Sequence, residues 1–259
     1  MSQIRTVAAT VLLGVVAVAP LLAQEQPVKT RSFSADFGFV SAAGNTNVKT
    51  LNFGDRLVLN TADKKLIFTQ TFNAVRSEAD GNRTAENYRT QVRLDRGLGH
   101  RFYLFLLGGW ERNVPAGVAR RFEETLGLAY RAIETEQDQL NIEIGLSFFQ
   151  QRNLEATQGQ SLDDNYTAGR AAASYKRVIR APAFVSQHVE FIPNFDDHND
   201  FRINTETALV APLSTAIGVK LGYVIRYDNV PGLLPDPNPT LERLRKTDRF
   251  LTAGLTISY

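Results

Sequence analysis

The chain has no cysteine and only three histidines. Without thiols it cannot form a disulfide scaffold, carry a lipid-modified N-terminal cysteine or hold a thiolate metal centre. The histidines, His100, His188 and His198, fall on different predicted strands and connectors, so their spacing does not predict a metal site. We therefore expect neither a metal nor another cofactor.

An excess of charge of one sign is also lacking. The 29 Lys and Arg against 27 Asp and Glu are interspersed and leave a net charge of +2, which is not the signature of a nucleic-acid-binding protein. Beyond residue 23 there is no long hydrophobic run, and the mean hydropathy is −0.20. Soluble proteins have such averages, and so do transmembrane β-barrels, because half of each strand faces a polar lumen.

The first residues predict export. Arg5 precedes an uncharged apolar run from Val7 to Ala19, and Pro20 ends it. We read residues 1–23 as a signal peptide cleaved after Ala23, residues 24–32 as a short periplasmic segment, and 33–259 as the folded domain. A retained membrane anchor is the alternative, since the uncharged stretch approaches spanning length.

The end of the chain predicts the fold. Leu251, Ala253, Leu255, Ile257 and Tyr259 alternate with small polar residues. A segment of about ten residues that alternates in this way and stops on an aromatic residue is typical of a strand with one face in lipid. Such a C-terminal strand, ending at Tyr259, is also where we expect the outer-membrane assembly machinery to bind.

Similar alternation recurs in twelve segments. They lie near 31–40, 48–60, 65–75, 85–96, 101–112, 121–133, 139–149, 164–176, 183–192, 200–210, 215–227 and 248–259. The connectors between them alternate between short turns and mostly longer loops, which an outer-membrane barrel requires and a soluble sandwich does not. The sequence therefore predicts an all-β fold, a closed antiparallel transmembrane barrel of about 12 strands with short periplasmic turns and longer outer loops.

If the apolar face of each strand points to lipid, fifteen charged side chains point into the lumen. They are Asp36, Arg56, Arg89, Arg93, Asp95, Glu111, Glu123, Arg131, Glu143, Arg170, Glu190, Arg202, Glu206, Lys220 and Arg226. These charges line a solute pathway or pair with one another across a filled lumen. Eight basic against seven acidic groups favour pairing, since a selective pore usually carries an excess of one sign.

Two features are predicted for the outer face. Trp110, Tyr130, Tyr175, Tyr227 and Tyr259 lie near strand ends, as in an interfacial aromatic girdle, with core packing in a soluble sheet as the alternative. Asp55 and Gln70 are expected to face each other on the lipid side, because a short turn at 61–64 pairs Leu59 with Leu66. We interpret this notch as a candidate oligomer contact; a β-bulge that turns Asp55 inward is the alternative.

Two polar groups suggest chemistry. Ser186, His188 and Glu190 share one face of a strand and are the parts of an acyl-transfer site. Alternate residues of a strand are about 7 Å apart, beyond hydrogen-bond reach, and a hairpin pairing Glu190 with Arg202 is the simpler reading. His198 lies among acidic residues of a predicted outer loop, where a divalent cation or a bridged lipopolysaccharide is weighed against a solvated loop. We predict no catalytic residues.

Several motifs carry a family resemblance. They are Gly44-Asn-Thr-Asn47, Asp95-Arg96, Trp110-Glu-Arg112 and the segment from Leu126 to Glu136. Together they resemble the salt-induced outer-membrane proteins (YdiY-like), a family of unknown function, over about residues 33–259. The resemblance implies a single outer-membrane barrel. It supplies no substrate and no catalytic residue.

These observations lead us to expect a non-enzymatic protein of the outer membrane. It is a small passive pore or a largely plugged structural barrel, and the family name implies a link to salt or osmotic stress. One alternative is an outer-membrane lipid hydrolase that uses Ser186 and His188. The other is a surface adhesin or receptor acting through the 228–247 loop. The expected partners are outer-membrane lipid and lipopolysaccharide, with an oligomer left open and nucleic acid excluded.

Overall fold

The computed structural model describes residues 30–42, 48–61, 63, 65–79, 82–154, 162–214, 216–231 and 245–258. The predicted signal peptide, Tyr259 and most of the 228–247 loop lie outside these residues. The predicted periplasmic segment 24–32 overlaps the first strand, which begins at Arg31.

Twelve antiparallel strands close into one barrel, in which each strand pairs with its sequence neighbours and the last pairs with the first. A 3₁₀ turn, Val114–Ala116, lies between β5 and β6. The strands are β1 (Arg31–Ala42), β2 (Val48–Asn60), β3 (Leu66–Ala79), β4 (Asn82–Gly97), β5 (Phe102–Asn113), β6 (Val118–Glu134), β7 (Asp138–Asn153), β8 (Asp163–Arg180), β9 (Ala183–Pro193), β10 (Phe201–Pro212), β11 (Ile217–Asp228) and β12 (Thr247–Ser258). The predicted fold class is confirmed.

Within the described part of the chain, no helix is long and apolar enough to cross a membrane.

The connectors are sorted between the two ends of the barrel. The turn end is formed by the starts of the odd-numbered strands and the ends of the even-numbered strands, with the described connectors 98–101, 135–137 and 181–182. The loop end is formed by the ends of the odd-numbered strands and the starts of the even-numbered strands, with the described connectors 114–117 and 194–200. The predicted segments 65–75 and 85–96 leave a loop at 76–84, which is wrong: β3 and β4 extend into it, with Arg76 opposite Glu86. Charged side chains suit this position because the wall there extends beyond the apolar band.

Side chains separate cleanly between the two faces of the sheet. Outward residues such as Phe37, Leu126 and Leu146 are 55 %, 56 % and 63 % exposed and form the apolar band that suits lipid. Inward residues such as Phe105 and Phe149 are buried. The barrel therefore has an apolar outer wall and a lumen that is partly filled by its own side chains.

A row of four residues shows how the lumen is filled. Phe105, Gly127, Gly145 and Arg170 lie opposite one another on β5, β6, β7 and β8. The two glycines have no side chains, and the Phe105 ring lies over Gly127. A Cβ atom at Gly127 would stand 2.5 Å from Phe105 Cζ and would also meet the backbone oxygen of Ile144. The ring occupies the space that a side chain at Gly127 would need.

Gly127→Ala is expected to destabilise the barrel by about 1–3 kcal/mol, because neither the ring nor the backbone oxygen can move aside without loss of packing. The control is Gly108→Ala, whose added methyl group meets its nearest neighbour, Val92 Cγ2, at an ordinary 3.6 Å. Denaturant unfolding of both variants in lipid vesicles measures the difference. Equal stability of the two variants would contradict this account of the row.

Candidate functional site in the lumen

The register places all fifteen predicted lumen charges on the inward face. Strand pairing places each of them on the face that carries the buried rings of Phe105 and Phe149, and the register shifts in the β3–β4, β5–β6, β6–β7 and β8–β9 pairs lie near strand ends. Most of these charges are paired with one another. The pairs form three levels between the turn end and the loop end.

The middle level is a chain of polar contacts along half of the ring. Arg93 on β4 donates from Nη1 to Glu143 Oε1 on β7 at 2.8 Å. Arg170 on β8 donates to Glu143 Oε2 and to Glu190 Oε1, each at 2.7 Å, and Asn204 on β10 donates to Glu190 Oε2 at 2.9 Å. We call these five residues the mid-lumen chain.

The mid-lumen chain rests on an aromatic ring. The guanidinium carbon of Arg93 lies 4.1 Å from the centroid of Phe105, and that of Arg170 lies 5.5 Å away. The Arg170 side chain is only 4 % exposed. Such removal of charge from water is costly unless each ion is both paired and hydrogen-bonded, as Arg170 is here.

The level nearest the loop end bridges opposite walls of the barrel. Arg226 Nη1 on β11 donates to Glu111 Oε1 on β5 at 2.8 Å. These two strands are six positions apart in a ring of twelve, so they face each other across the lumen. Glu111 also accepts hydrogen bonds from Arg121 Nη1 at 3.4 Å and Asn113 Nδ2 at 3.3 Å. We call Glu111 and Arg226 the cross-lumen pair.

The level nearest the turn end is less enclosed. Lys220 Nζ donates to Asp36 Oδ2 at 2.6 Å and lies 4.0 Å from Glu206 Oε1. Arg131 pairs with Glu134 and stacks over Tyr103. Among the described residues, two of the predicted lumen cations have no ion pair within 4 Å: Arg56, whose neighbours are more distant charges, and Arg202.

Four of the predicted girdle residues point outward and divide between the two ends. Trp110 and Tyr227 lie toward the loop end, and Tyr130 and Tyr175 toward the turn end. The rings of Tyr130 and Phe102 are 4.9 Å apart, and Tyr175 donates its hydroxyl to Asp138 Oδ1 at 2.5 Å. Tyr259 lies outside the described residues.

Sequence reasoning missed the aromatic residues of the lumen, Tyr103, Phe105, Phe149 and Tyr166. The signal was present: β5 reads Phe-Tyr-Leu-Phe-Leu-Leu from Phe102, which is apolar on both faces. A strand without alternation has both of its faces buried or in lipid.

The predicted serine and histidine are not brought together. Ser186 lies opposite Lys176 and Ala208, whereas His188 Nδ1 forms a 2.8 Å hydrogen bond with Ser174 Oγ. The predicted pairing of Glu190 with Arg202 is wrong by two residues, since Glu190 lies opposite Asn204. The β9–β10 connector begins after Pro193, one residue later than predicted, and its length is unchanged.

The predicted pairing of Asp55 with Gln70 is also wrong by two residues. Asp55 lies opposite Phe72 and Ala35, and Gln70 lies opposite Leu57. The cause is the turn: Thr61 pairs with Leu66, and Thr61 Oγ1 donates to Asp63 at 2.6 Å. Both side chains remain on the outer face. The pairing runs unbroken through Asp55, so the bulge alternative is wrong.

The acidic loop between β9 and β10 uses its carboxylates locally. Asp196 and Asp197 accept hydrogen bonds from backbone N–H groups of Thr167 and Asn199, each at 2.9 Å. Burial raises the pKa of the Asp200 carboxyl, against the hydrogen bond from Asn194 Nδ2, which lowers it. The described residues contain no group of three or more His, Cys, Asp or Glu placed to hold a metal ion.

Comparison with protein families identifies the chain. A family described as "Protein of unknown function, DUF481" matches residues 35–259. The chain belongs to the DUF481 family. None of the curated proteins compared with it matches.

Solved structures resemble this DUF481 barrel in architecture. The NanC porin is 8 % identical, with a TM-score of 0.49 over 88 % of this chain and 97 % of that one. The translocator domain of autotransporter NalP from Neisseria meningitidis is 12 % identical, with a TM-score of 0.48 over 88 % and 87 % of the two chains. At these identities the likeness is one of fold alone.

Glu143→Gln is expected to destabilise the barrel by about 3 kcal/mol, because it leaves Arg93 and Arg170 without their shared carboxylate in a buried setting. Glu206→Gln is the matched control: its carboxylate is 49 % exposed and 4.0 Å from Lys220, so we expect a loss below about 1 kcal/mol. Denaturant unfolding in vesicles measures both. A larger loss for Glu206→Gln would overturn the ranking.

Proposed function

We propose that this protein is a non-enzymatic barrel of the outer membrane that acts as a small passive pore. The observation that carries the proposal is the cross-lumen pair. Glu111 and Arg226 join opposite walls by a hydrogen bond between two side chains, and such a constriction can open by a change of rotamer. The closed sheet, the outward apolar band and the sorting of turns and loops support the outer membrane as its location.

The chemistry of the lumen favours a water-filled path over a sealed plug. At the loop-end level the wall carries Arg89, Arg121, Arg202 and Arg226 with Glu111 and Glu123. Long charged side chains can change rotamer without moving the strands, so a solute that competes for Arg226 widens the passage. A largely plugged structural barrel is the competing proposal, and it requires the cross-lumen pair to stay closed.

Refolded protein in planar bilayers tests the pore. We expect small stepwise currents, and a conductance at least about twofold larger in the double variant Glu111→Ala/Arg226→Ala, since both bridging side chains are then removed from the lumen. Arg152→Ala is the control, because this exposed arginine pairs with Asp163 at the loop end. Silence of both the parent and the double variant, with the barrel shown to be folded, would favour the plugged barrel.

A link to salt or osmotic stress extends this proposal. Salt screens exposed charge pairs strongly and partly buried pairs less, and the side chains of Arg226 and Glu111 are 20 % and 10 % exposed. A cross-lumen pair that weakens as ionic strength rises gives a pore that opens under salt stress. Growth of a deletion strain at high salt, with and without the double variant, is the cellular test.

The hydrolase and adhesin alternatives have less support. Ser186 has no hydrogen bond to His188, whose Nδ1 is engaged by Ser174. Most of the 228–247 loop lies outside the described residues. Lipid, lipopolysaccharide and the assembly machinery at the C-terminal strand remain the proposed partners.

An oligomer contact at Asp55 is a separate proposal. Asp55 lies on the lipid face between Ala35 and Phe72, where an unpartnered carboxylate costs about 2 kcal/mol. A neighbouring barrel that hydrogen-bonds Asp55 and Gln70 would offset this cost. We expect Asp55→Leu to convert an oligomer into a monomer of greater stability, as measured by native mass. A parent protein that is already monomeric would refute the contact.

A further inference from the structure

Arg202 is one of the two lumen arginines without an ion pair among the described residues. Arg202, on β10, is only 8 % exposed, and its Nη2 atom has no hydrogen-bond partner among the described residues. Its guanidinium carbon lies 4.4 Å from the centroid of Phe149 and 5.7 Å from that of Tyr166. The two rings contact the guanidinium group by cation–π interaction, and this contact supplies no acceptor for Nη2.

Three carboxylates near Arg202 are engaged elsewhere. Asp228 lies directly opposite Arg202, yet its Oδ1 accepts from the backbone N–H of Val230 at 3.0 Å. Asp200 accepts from Asn194 Nδ2 at 2.8 Å. Glu111 is shared by Arg226 and Arg121. Arg202 Nη2 therefore has no acceptor among the described residues, even though several acidic residues lie nearby.

Arg202 lines a cavity at the loop end of the lumen, with a volume of ≈ 40 Å³. The lining contains six basic side chains, among them Arg89, Arg121, Arg245 and Lys246, against four acidic ones, which leaves a local charge of +2. A buried, unpaired guanidinium in a cavity of positive charge is chemically suited to an oxyanion, whose oxygens accept the planar N–H donors.

We propose that this cavity is a binding subsite for a small soluble oxyanion, a carboxylate or a phosphate, with Arg202 as its primary ligand. The subsite deepens the pore proposed above by naming the class of solute, although binding itself does not depend on conduction. Because the cavity lies in the lumen, on the inner side of the barrel wall, a lipid headgroup is excluded as the ligand. A cavity of this volume admits an ion or the charged end of a solute, and neighbouring Arg226 is placed to leave Glu111 for the same anion.

Equilibrium dialysis of radiolabelled inorganic phosphate against the full barrel in uncharged detergent at low ionic strength tests the subsite. We expect saturable binding of about one phosphate per barrel and at least a tenfold weaker affinity in Arg202→Gln. Arg120→Gln is the matched control, since it removes the same charge from an exposed position at the same end. No saturable binding to the parent, or equal losses in the two variants, would overturn the proposal.

A second variant guards against a folding defect in Arg202→Gln. Glu123→Gln removes one of the four carboxylates of the cavity and is expected to tighten phosphate binding severalfold; weaker binding would count against the subsite. Bilayer recordings of the same preparations separate the two proposals. Phosphate binding by a silent barrel supports the subsite and refutes the pore, whereas currents without phosphate binding refute the subsite alone.

Discussion

Backbone hydrogen bonding around a closed ring is the constraint on which the rest of the molecule depends. In a lipid core no water reaches the peptide groups, so a sheet is stable there only if it has no free edge. Closure requires β1 to pair with β12, and this seam runs only from Ser34 to Phe37 among the described residues, while β1 pairs with β2 along its full length. Once the ring is closed, the outward side chains form the apolar band that suits lipid and the inward ones share the lumen.

The strand period made the faces predictable from the sequence and left the register open. The pairings of Asp55 and of Glu190 were both wrong by two residues, and both residues still lie on the predicted face. A shift of two preserves the face because side chains alternate with a period of two, whereas a shift of one would exchange the two faces of the strand. The hydrogen bonds of the turns decide the register. The Thr61 and Asp63 hydrogen bonds that set the β2–β3 register depend on side-chain geometry, which hydrophobic patterning does not contain.

Contacts across the lumen lay beyond sequence reasoning for a different reason. Glu111 and Arg226 are 115 residues apart, and only closure with a defined strand number places β5 opposite β11. The packing of side chains in the lumen could not be predicted from the sequence for the same reason. Gly127 and Gly145 look like ordinary strand glycines in sequence, and their role becomes clear only when the register sets them in one row beside Phe105. The near balance of basic and acidic residues did favour pairing, but balance alone cannot say which groups meet.

The energetic cost of burying charge in the lumen bears on whether the barrel is a plug or a pore. Replacing buried ion pairs by packed apolar side chains is often neutral or stabilising, so a barrel that served only as a plug would lose little by filling its lumen with Leu and Phe. This lumen already uses Phe105 and Phe149 as packing surfaces, yet it sets guanidinium groups on both rings. Arginines held in place by aromatic faces, and carboxylates shared between two cations, keep the lumen polar while limiting the motion of its side chains. That combination suits a path along which charged or hydrated solutes bind fixed groups in turn. Arg202 is held by the Phe149 ring and has no ion pair in the described part of the chain, so a solute that binds there breaks the fewest existing contacts.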